Sequence, residues 1–255
     1  MSAENGFFTD VTLCIGCKAC EVACKQWNEL PADGYAFSGN SYDNTGRLSA
    51  TTWRHVAFVE QMDRVDPAAS RWMMLSDVCK HCTFAGCLEA CPTGAIVRTE
   101  FGGVYVQPDV CNGCSYCVVS CPFGVVQKNE KDGRAFKCTF CYDRQKEGQM
   151  PACAKTCPTE SIKFGPIEEL EIVAQERMKE LQARGMDDVH YYNPTHTSVG
   201  GTHAAFIVRG DPKQYNLPPN PEVPTEYLKD GWTSAAIGAA ILLAGSVFAF
   251  LGARR

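Results

Sequence analysis

The sequence lacks the motifs that mark a substrate site. It contains no P-loop, no glycine-rich dinucleotide fingerprint and no recognisable nucleophile–base pair, so we expect no catalytic residue in this chain alone. It also has no excess of positive charge: the net charge is −5 at pH 7, and we expect no nucleic acid partner. The five histidines share no common metal-ligand spacing.

The N-terminal segment MSAENGFFTDVTLC lacks the charged and apolar regions of a secretory signal. We therefore expect no export signal, and a disulfide scaffold of the kind found in small secreted chains is disfavoured. The sequence is nevertheless rich in cysteine, with 16 in 255 residues, and these come in steps too short to staple distant segments. Structural zinc usually needs two C-x2-C pairs separated by a dozen or more residues. Iron–sulfur clusters are the favoured interpretation.

The cysteines form four runs of four. The first and third runs have the spacing C-x2-C-x2-C-x3-C that is typical of bacterial ferredoxins. The second run widens the middle gap to four residues and the fourth widens it to eleven, while both keep the outer spacings. Pro92, Pro122 and Pro158 follow the last three runs, whereas Lys25 follows the first. The runs are Cys14, Cys17, Cys20 and Cys24; Cys79, Cys82, Cys87 and Cys91; Cys111, Cys114, Cys117 and Cys121; and Cys138, Cys141, Cys153 and Cys157.

The eleven-residue gap of the fourth run, residues 142–152, decides between three clusters and four. A 4Fe–4S cube fixes where its sulfur ligands lie, but it does not fix the path of the chain between them. Closing a longer loop costs little extra free energy, so the third cysteine can arrive on a loop of any length that closes. We therefore predict that the gap is a surface insertion in a working site, and that the chain holds four 4Fe–4S clusters.

Internal repetition supports a ferredoxin-like fold. The segments CPTGAI at 91–96, CPFGVV at 121–126 and CPTESI at 157–162 each predict a cysteine-bearing helix that turns into a short strand. The stretch GAIVRTEFGGVYV predicts two strands joined by a hairpin at Gly102 and Gly103. The predicted fold class is α+β, with two bacterial-ferredoxin-like 2x4Fe–4S units, insertions and one C-terminal transmembrane helix.

Three motifs together resemble a known family: CIGCKAC at 14–20, CKHC at 79–82 and KCTFC at 137–141. They are similar to those of the four-cluster electron-transfer (beta) subunits that accompany molybdenum or tungsten oxidoreductases. Within that group the sequence most resembles the beta subunit of membrane-bound formate dehydrogenase. The segments PACAKTCPTESIKFG and VGGTHAAFIV, and LPPNPEVP followed by one apolar helix, match the layout of that subunit. The resemblance covers residues 9–252.

The resemblance implies which cysteines share a cluster, because all sixteen family positions are cysteine here. Runs one and four would hold two clusters, and runs two and three the other two. Nitrate-reductase-type relatives replace one cysteine with tryptophan and carry a three-iron cluster, so all four clusters here are expected to be 4Fe–4S. The implied ligand sets are Cys14, Cys17, Cys20 and Cys157; Cys24, Cys138, Cys141 and Cys153; Cys79, Cys82, Cys87 and Cys121; and Cys91, Cys111, Cys114 and Cys117.

With this pairing, the predicted unit A comprises residues 9–34 and 127–165, and unit B comprises residues 76–126. Residues 35–75 begin with a polar, glycine-rich loop and are interpreted as an insertion that joins the units and contacts the catalytic subunit. Residues 166–230 are interpreted as a helix and an extended linker.

Within this last stretch, residues 167–184 predict an amphipathic helix, ended by Gly185, that packs on the cluster domain or docks a partner. Its apolar face would carry Ile167, Leu170, Val173, Ala174, Met178 and Leu181.

Several polar residues lie beside ligand cysteines. His81 is interpreted either as a donor to a cluster sulfur or as a structural histidine. Five lysines would either raise the cluster reduction potentials through their charge or simply lie in solvent. They are Lys18, Lys25, Lys80, Lys137 and Lys155.

Residues 232–252 contain no charged side chain, and a helix of this length measures about 32 Å, enough to cross a bilayer core. Trp232 lies at one edge, where interfacial aromatic residues are common. A stripe of small residues favours close approach of another helix, so we expect a membrane partner subunit there. The stripe is Ala236, Ala240 and Ala244.

The charges at the two ends of this segment predict its orientation. Lys229 and Asp230 cancel before it, whereas Arg254 and Arg255 follow it. The positive-inside rule then places the C-terminus in the cytoplasm and the cluster domain in the periplasm. The family resemblance implies export of the folded domain on the twin-arginine signal of a catalytic partner.

The predicted function is electron conduction. The resemblance implies a molybdopterin catalytic (alpha) subunit that oxidises formate as donor, and a membrane cytochrome b (gamma) subunit, and then quinone, as acceptor. Two alternatives remain open: the equivalent subunit of a membrane-bound nickel–iron hydrogenase, and a structural multi-zinc interaction protein.

Overall fold

The computed structural model describes residues 4–34, 37, 39 and 41–252. Its strands are β1 Asn5–Asp10, β2 Arg54–Gln61, β3 Arg71–Val78, β4 Ile96–Arg98, β5 Val104–Val106, β6 Gln127–Lys128, β7 Ala135–Phe136, β8 Ile162–Pro166, β9 Val189–Tyr192 and β10 Ala204–Arg209. Its α-helices are α1 Ala19–Trp27, α2 Gly86–Glu89, α3 Tyr116–Val119, α4 Tyr142–Lys146, α5 Ala152–Lys155, α6 Ile167–Ala183 and α7 Leu228–Gly252. The fold is α+β, as predicted.

The largest sheet has the strand order β8-β1-β10-β9 and is covered on both faces. Strand β1 runs parallel to β10 and antiparallel to β8. Because side chains alternate along a strand, Phe7 of β1 points towards the core that contains the cysteines, and Phe8 packs with Ala174 and Leu181 of α6. The sheet therefore forms a wall between α6 and the cysteine-rich core.

The interpretation of residues 166–230 as a helix and an extended linker is incomplete. This stretch also contains β9 and β10, and β10 lies inside the sheet, between β1 and β9. The hydrophobic residues 204–208 are almost fully buried because the sheet is covered on both sides. The segment before β10 contacts the CKHC loop, since Thr202 pairs with Cys82 and the His203 amide donates to the Lys80 carbonyl. The C-terminal third thus holds the two halves of the core together.

Helix α6 and its glycine stop lie where the pattern predicts them. Ala174 and Leu181 are fully buried, and Leu170 and Met178 pack beside them. Gly185 ends the helix in the left-handed region with φ +78°. Val173 differs from the prediction: it is 36% exposed, because the helix contacts the sheet along a narrower stripe than the six-residue face.

Strands β2 and β3 form an antiparallel ribbon that spans the second half of the predicted 35–75 insertion. Arg54 at the start of the ribbon is paired with Val78 at its end, immediately before Cys79. The ribbon therefore brings the chain from the neighbourhood of the first cysteine run directly to the second run. Residues 35, 36, 38 and 40 of the insertion lie outside the described part of the chain.

The three CP repeats lead into strands as predicted, at β4, β6 and β8. Strands β4 and β5 pair from Ile96↔Val106 to Arg98↔Val104, and the turn between them contains Gly102 with φ +82°. A second hydrophobic core lies under this hairpin and is built around Ile96, Val106 and Val126.

Helix α7 is exposed along almost its whole length. Among the described residues, one stretch, Pro224–Gly252, is a helix long and apolar enough to cross a membrane, and none of its apolar window is buried in the protein. The chain enters this stretch beside α2, since Val223 is buried against Gly86 and Thr225 donates a hydrogen bond to Glu89. Arg254 and Arg255, on which the predicted orientation depends, lie outside the described residues.

Candidate metal centres

All sixteen cysteines lie within the described residues, and none forms a disulfide. They surround four small cavities, and each cavity is lined by four cysteines. The groups are the ones that the family resemblance implies. Site 1 is Cys14, Cys17, Cys20 and Cys157; site 2 is Cys24, Cys138, Cys141 and Cys153; site 3 is Cys79, Cys82, Cys87 and Cys121; site 4 is Cys91, Cys111, Cys114 and Cys117.

One backbone feature recurs in all four runs. The residue before the second cysteine lies in the left-handed region: Gly16, His81, Gly113 and Phe140 have φ of 67°, 45°, 73° and 62°. This conformation reverses the chain inside each C-x-x-C, so that the loop curls around its cavity and both cysteines line it. Glycine adopts it at little cost, and a side chain at Gly113 would also meet the Gly133 carbonyl oxygen at 2.5 Å. At His81 and Phe140 no glycine in the sequence signals the turn.

The C-x3-C pairs each connect two sites. In α1, Cys20 lines site 1 and Cys24, one turn later, lines site 2. The pair at α5 runs the other way: Cys153 lines site 2, and Cys157, just after the helix, lines site 1. The same exchange occurs between sites 3 and 4 through α2 and α3, whose cysteines are Cys87, Cys91, Cys117 and Cys121.

The eleven-residue gap of the fourth run does not break its site, but it is only partly a surface loop. Residues 146–150 are exposed, whereas Arg144 and Gln145 of α4 are buried. The Arg144 guanidinium lies 4.2 Å from the Trp27 ring centroid, and its Nε donates to the Met150 carbonyl at 2.7 Å. Gln145 donates to the Phe140 carbonyl at 2.6 Å. These contacts fix the loop so that the cysteines on either side of it line one cavity.

The cavities fit a multi-iron group better than a single ion. In the described part of the chain, no three His, Cys, Asp or Glu side chains converge closely enough to hold one metal ion. Four cysteines spaced around each cavity match four corners of a cube, and thiolates are the usual ligands of such clusters.

Comparison with known proteins decides the family. Residues 13–95 and residues 70–167 each match a family described as "4Fe-4S dicluster domain". The formate dehydrogenase-O iron-sulfur subunit of Escherichia coli is 42% identical over 252 residues, which cover 95% of this chain and 81% of the relative. The chain belongs to the family of formate dehydrogenase iron–sulfur subunits.

Two further relatives show the breadth of the similarity. The formate dehydrogenase iron-sulfur subunit of Haemophilus influenzae is 44% identical over 220 residues, 84% of this chain and 68% of the relative. The B subunit of the anaerobic dimethyl sulfoxide reductase of Escherichia coli is 37% identical over 175 residues, 67% of this chain and 77% of the relative. As an iron–sulfur subunit with sixteen cysteines, the chain carries four 4Fe–4S clusters and serves electron transfer.

Burial makes the thiols of this iron–sulfur subunit poor acids in the absence of iron. It raises the pKa of Cys20, Cys87 and Cys141 to about 12. Iron binding requires thiolates, so cluster assembly must displace these protons. Cys91 differs: it is less buried, and the Thr93 hydroxyl and amide together with the Ala95 amide hold its pKa below its ordinary value.

Two buried cations contact cysteine sulfurs directly. Lys137, one of the five lysines identified from the sequence beside ligand cysteines, donates to Cys79 Sγ at 3.4 Å. Arg54 was not identified from the sequence, and its Nη2 donates to Cys153 Sγ at 3.2 Å. Burial alone would lower the pKa of both groups, but the neighbouring thiolate charges outweigh it and both pKa values lie above their ordinary range. Arg54 lies outside every cysteine run, so no spacing rule could have indicated it.

The other four lysines identified from the sequence beside ligand cysteines do not contact cysteine sulfurs. Lys18 pairs with Glu21 and Asp43, Lys25 with Asp33, and Lys80 with Asp77, while Lys155 is exposed.

His81 is buried with its Nδ1 accepting a hydrogen bond from the Val104 amide at 3.0 Å, which leaves the ring proton on Nε2. That Nε2 has no hydrogen-bond partner among the described residues, and no cysteine sulfur is bonded to the ring there. The predicted bond from His81 to a cluster sulfur therefore stays a prediction.

Proposed function

We propose that the four cysteine groups each hold one 4Fe–4S cluster and that the clusters form one conducting chain in the order site 1, site 2, site 3, site 4. Helices α1 and α5 join sites 1 and 2, and α2 and α3 join sites 3 and 4. Lys137 joins sites 2 and 3, because it is bonded to Cys79 Sγ and to the Cys138 carbonyl. Each cluster supplies a one-electron redox couple.

The observation that carries this proposal is the exposure of the cysteines. Of the sixteen, Cys17 and Cys114 are exposed, and they belong to sites 1 and 4. Sites 2 and 3 have no exposed ligand. A conducting path that accepts an electron at one end and delivers it at the other needs both ends accessible to partners and its middle insulated from water.

We propose that electrons enter at site 1 from a molybdopterin catalytic subunit that oxidises formate, with molybdenum or tungsten at its active site. The relatives named for formate dehydrogenase support the reaction. Ile15, which lines the cavity of site 1, is exposed, and so are Val22 in α1 and the packed pair Tyr42 and Trp72; exposed apolar side chains of this kind suit a partner surface.

The exit is proposed at site 4, to a membrane cytochrome b subunit and then quinone. Residues 223–225, which lead into the apolar helix, contact α2, and α2 directly precedes Cys91 of site 4. This arrangement would keep site 4 near the membrane surface. The periplasmic placement of the cluster domain is also proposed; a C-terminal green fluorescent protein fusion would fluoresce if it is right, because the C-terminus would be cytoplasmic.

The function is tested on the intact complex, purified without oxygen. Iron and acid-labile sulfide are measured, and EPR spectra are recorded after addition of formate. We expect four reduced clusters in this chain after formate addition. Full iron with reduction by hydrogen but not by formate would instead support the nickel–iron hydrogenase alternative, and full iron with neither response would contradict both donors.

A further inference from the structure

We propose that Arg54 and Lys137 give site 2 the highest reduction potential of the four clusters, so that an electron in this subunit rests at the boundary between the two units. This inference rests on the proposed function, because it needs a cluster at each site.

The contacts of Lys137 establish its charge. Its Nζ lies 3.4 Å from Cys79 Sγ, 2.5 Å from the Val104 carbonyl oxygen and 3.2 Å from the Cys138 carbonyl oxygen. The two carbonyls can only accept, and so can Cys79 Sγ once it is an unprotonated iron ligand, whereas a neutral amine has only two hydrogens to donate. An ammonium has three, so the geometry assigns a full positive charge to Lys137. The side chain is 3% exposed, so water screens this charge very little.

Arg54 places a second permanent charge at site 2. Its Nη2 donates to Cys153 Sγ of site 2, and its Nη1 donates to the Ser76 carbonyl at 3.2 Å. The Ser76 hydroxyl in turn lies 3.2 Å from Cys20 Sγ of site 1. The guanidinium is 1% exposed, lies 4.7 Å from the Phe7 ring centroid and keeps its Nε without a partner among the described residues.

Neither cation forms an ion pair with a carboxylate in the described part of the chain. Lys80 is as deeply buried but is neutralised by Asp77. A buried charge without a partner is strongly unfavourable, so the anionic partner of Arg54 and of Lys137 must be the thiolates and the clusters they hold. Reduction adds one negative charge to a cluster, and a nearby buried cation stabilises that form.

The positions of the two cations rank the sites. Site 2 is contacted by both: Arg54 reaches Cys153, and Lys137 reaches the Cys138 carbonyl. At site 3, Lys137 contacts Cys79 Sγ and Arg98 donates to the Cys82 carbonyl at 2.6 Å, but Arg98 is partly exposed, so water screens its charge more. Site 1 is reached from Arg54 through Ser76. At site 4 the described donors to sulfur are neutral: the Thr93 hydroxyl and the backbone amides of Thr93, Ala95, Ile96 and Ala135. The carboxylate of Asp143 acts on Cys141 of site 2 but is exposed and screened by water.

The test is an EPR redox titration of the intact complex that carries Arg54→Met or Lys137→Met. Each change keeps an apolar stem and removes one charge. We expect the highest of the four midpoint potentials to fall in both variants, by at least a tenfold change in the equilibrium constant for reduction, which is about 59 mV for one electron. Lys137→Met should also lower the midpoint of a second cluster, at site 3.

Two controls accompany these variants. Lys155→Met removes a lysine two residues from Cys153 of site 2, but this lysine is exposed, so we expect no such shift. Lys137→Arg keeps the charge and should keep the potentials close to those of the unchanged protein.

The inference is overturned if the highest midpoint stays in place in both variants, or if Lys155→Met moves it as much. If one methionine variant fails to assemble, the other still tests the inference, because both Arg54 and Lys137 contact site 2. Failure of the proposed function is distinguishable, since the unchanged complex would then lack four reducible clusters.

Discussion

At the scale of single residues, the cysteine ligands were predictable from the sequence, whereas the residues around them were not. The sixteen cysteines and their grouping could be anticipated, because a cube fixes the spacing of adjacent ligands and the family repeats that spacing. Arg54 could not be anticipated, since it reaches site 2 from a ribbon that contains no cysteine. The left-handed turns at His81 and Phe140 were equally hidden, because no glycine marks either position.

The fourth run gives a direct prediction at this scale. Cys153→Ser removes a thiolate from site 2 and takes the sulfur partner from Arg54, so we expect the loss of one cluster's iron and sulfide and a block in electron transfer. Met150→Ala changes the same insertion at an exposed position and should leave the iron content unchanged. The iron and acid-labile sulfide content per chain is measured for both variants. Full iron in Cys153→Ser would remove Cys153 from the ligand set.

At the scale of elements, the insertion in the fourth cysteine run contains a short helix with buried side chains. Sequence reasoning interpreted residues 142–152 as a surface excursion because a five-residue helix is too short to show a periodic pattern. Strands β9 and β10 escaped notice for a related reason: β10 joins the sheet by pairing with β1, which lies far away in sequence, so its place in the sheet cannot be read locally. By contrast, α6 is long enough for its apolar stripe to be recognised.

The anchor of this insertion leads to a prediction about α4. Arg144→Met removes the stacking on Trp27 and the bond to the Met150 carbonyl, and it should destabilise the protein by about 1–3 kcal/mol. The thermal midpoint should fall, and iron should be lost from site 2 before the other sites. Lys146→Met, two residues later on the exposed side, serves as the control and should change stability by less than about 0.5 kcal/mol. Equal effects of the two variants would mean that the insertion is not anchored by Arg144.

At the scale of the whole molecule, the protein combines a covered core with an apolar helix whose membrane-length window is not buried against the described part of the chain. Ala240 lies in the middle of the small-residue stripe, and Ala249 lies on the opposite side of the same helix. We expect Ala240→Leu to weaken copurification with the membrane subunit because it prevents close approach of a second helix. Ala249→Leu adds the same volume on the other face and should have little effect. Identical copurification of both variants would exclude the stripe as the contact.

The central claim, four clusters in four cysteine cavities along one path, is tested most directly by anomalous X-ray diffraction at the iron edge on crystals of the complex. The account predicts four strong iron peaks in this subunit, one inside each of sites 1 to 4, with site 2 next to Arg54 and Lys137. A site without an iron peak would contradict it. So would a site whose anomalous signal appears at the zinc edge but not at the iron edge.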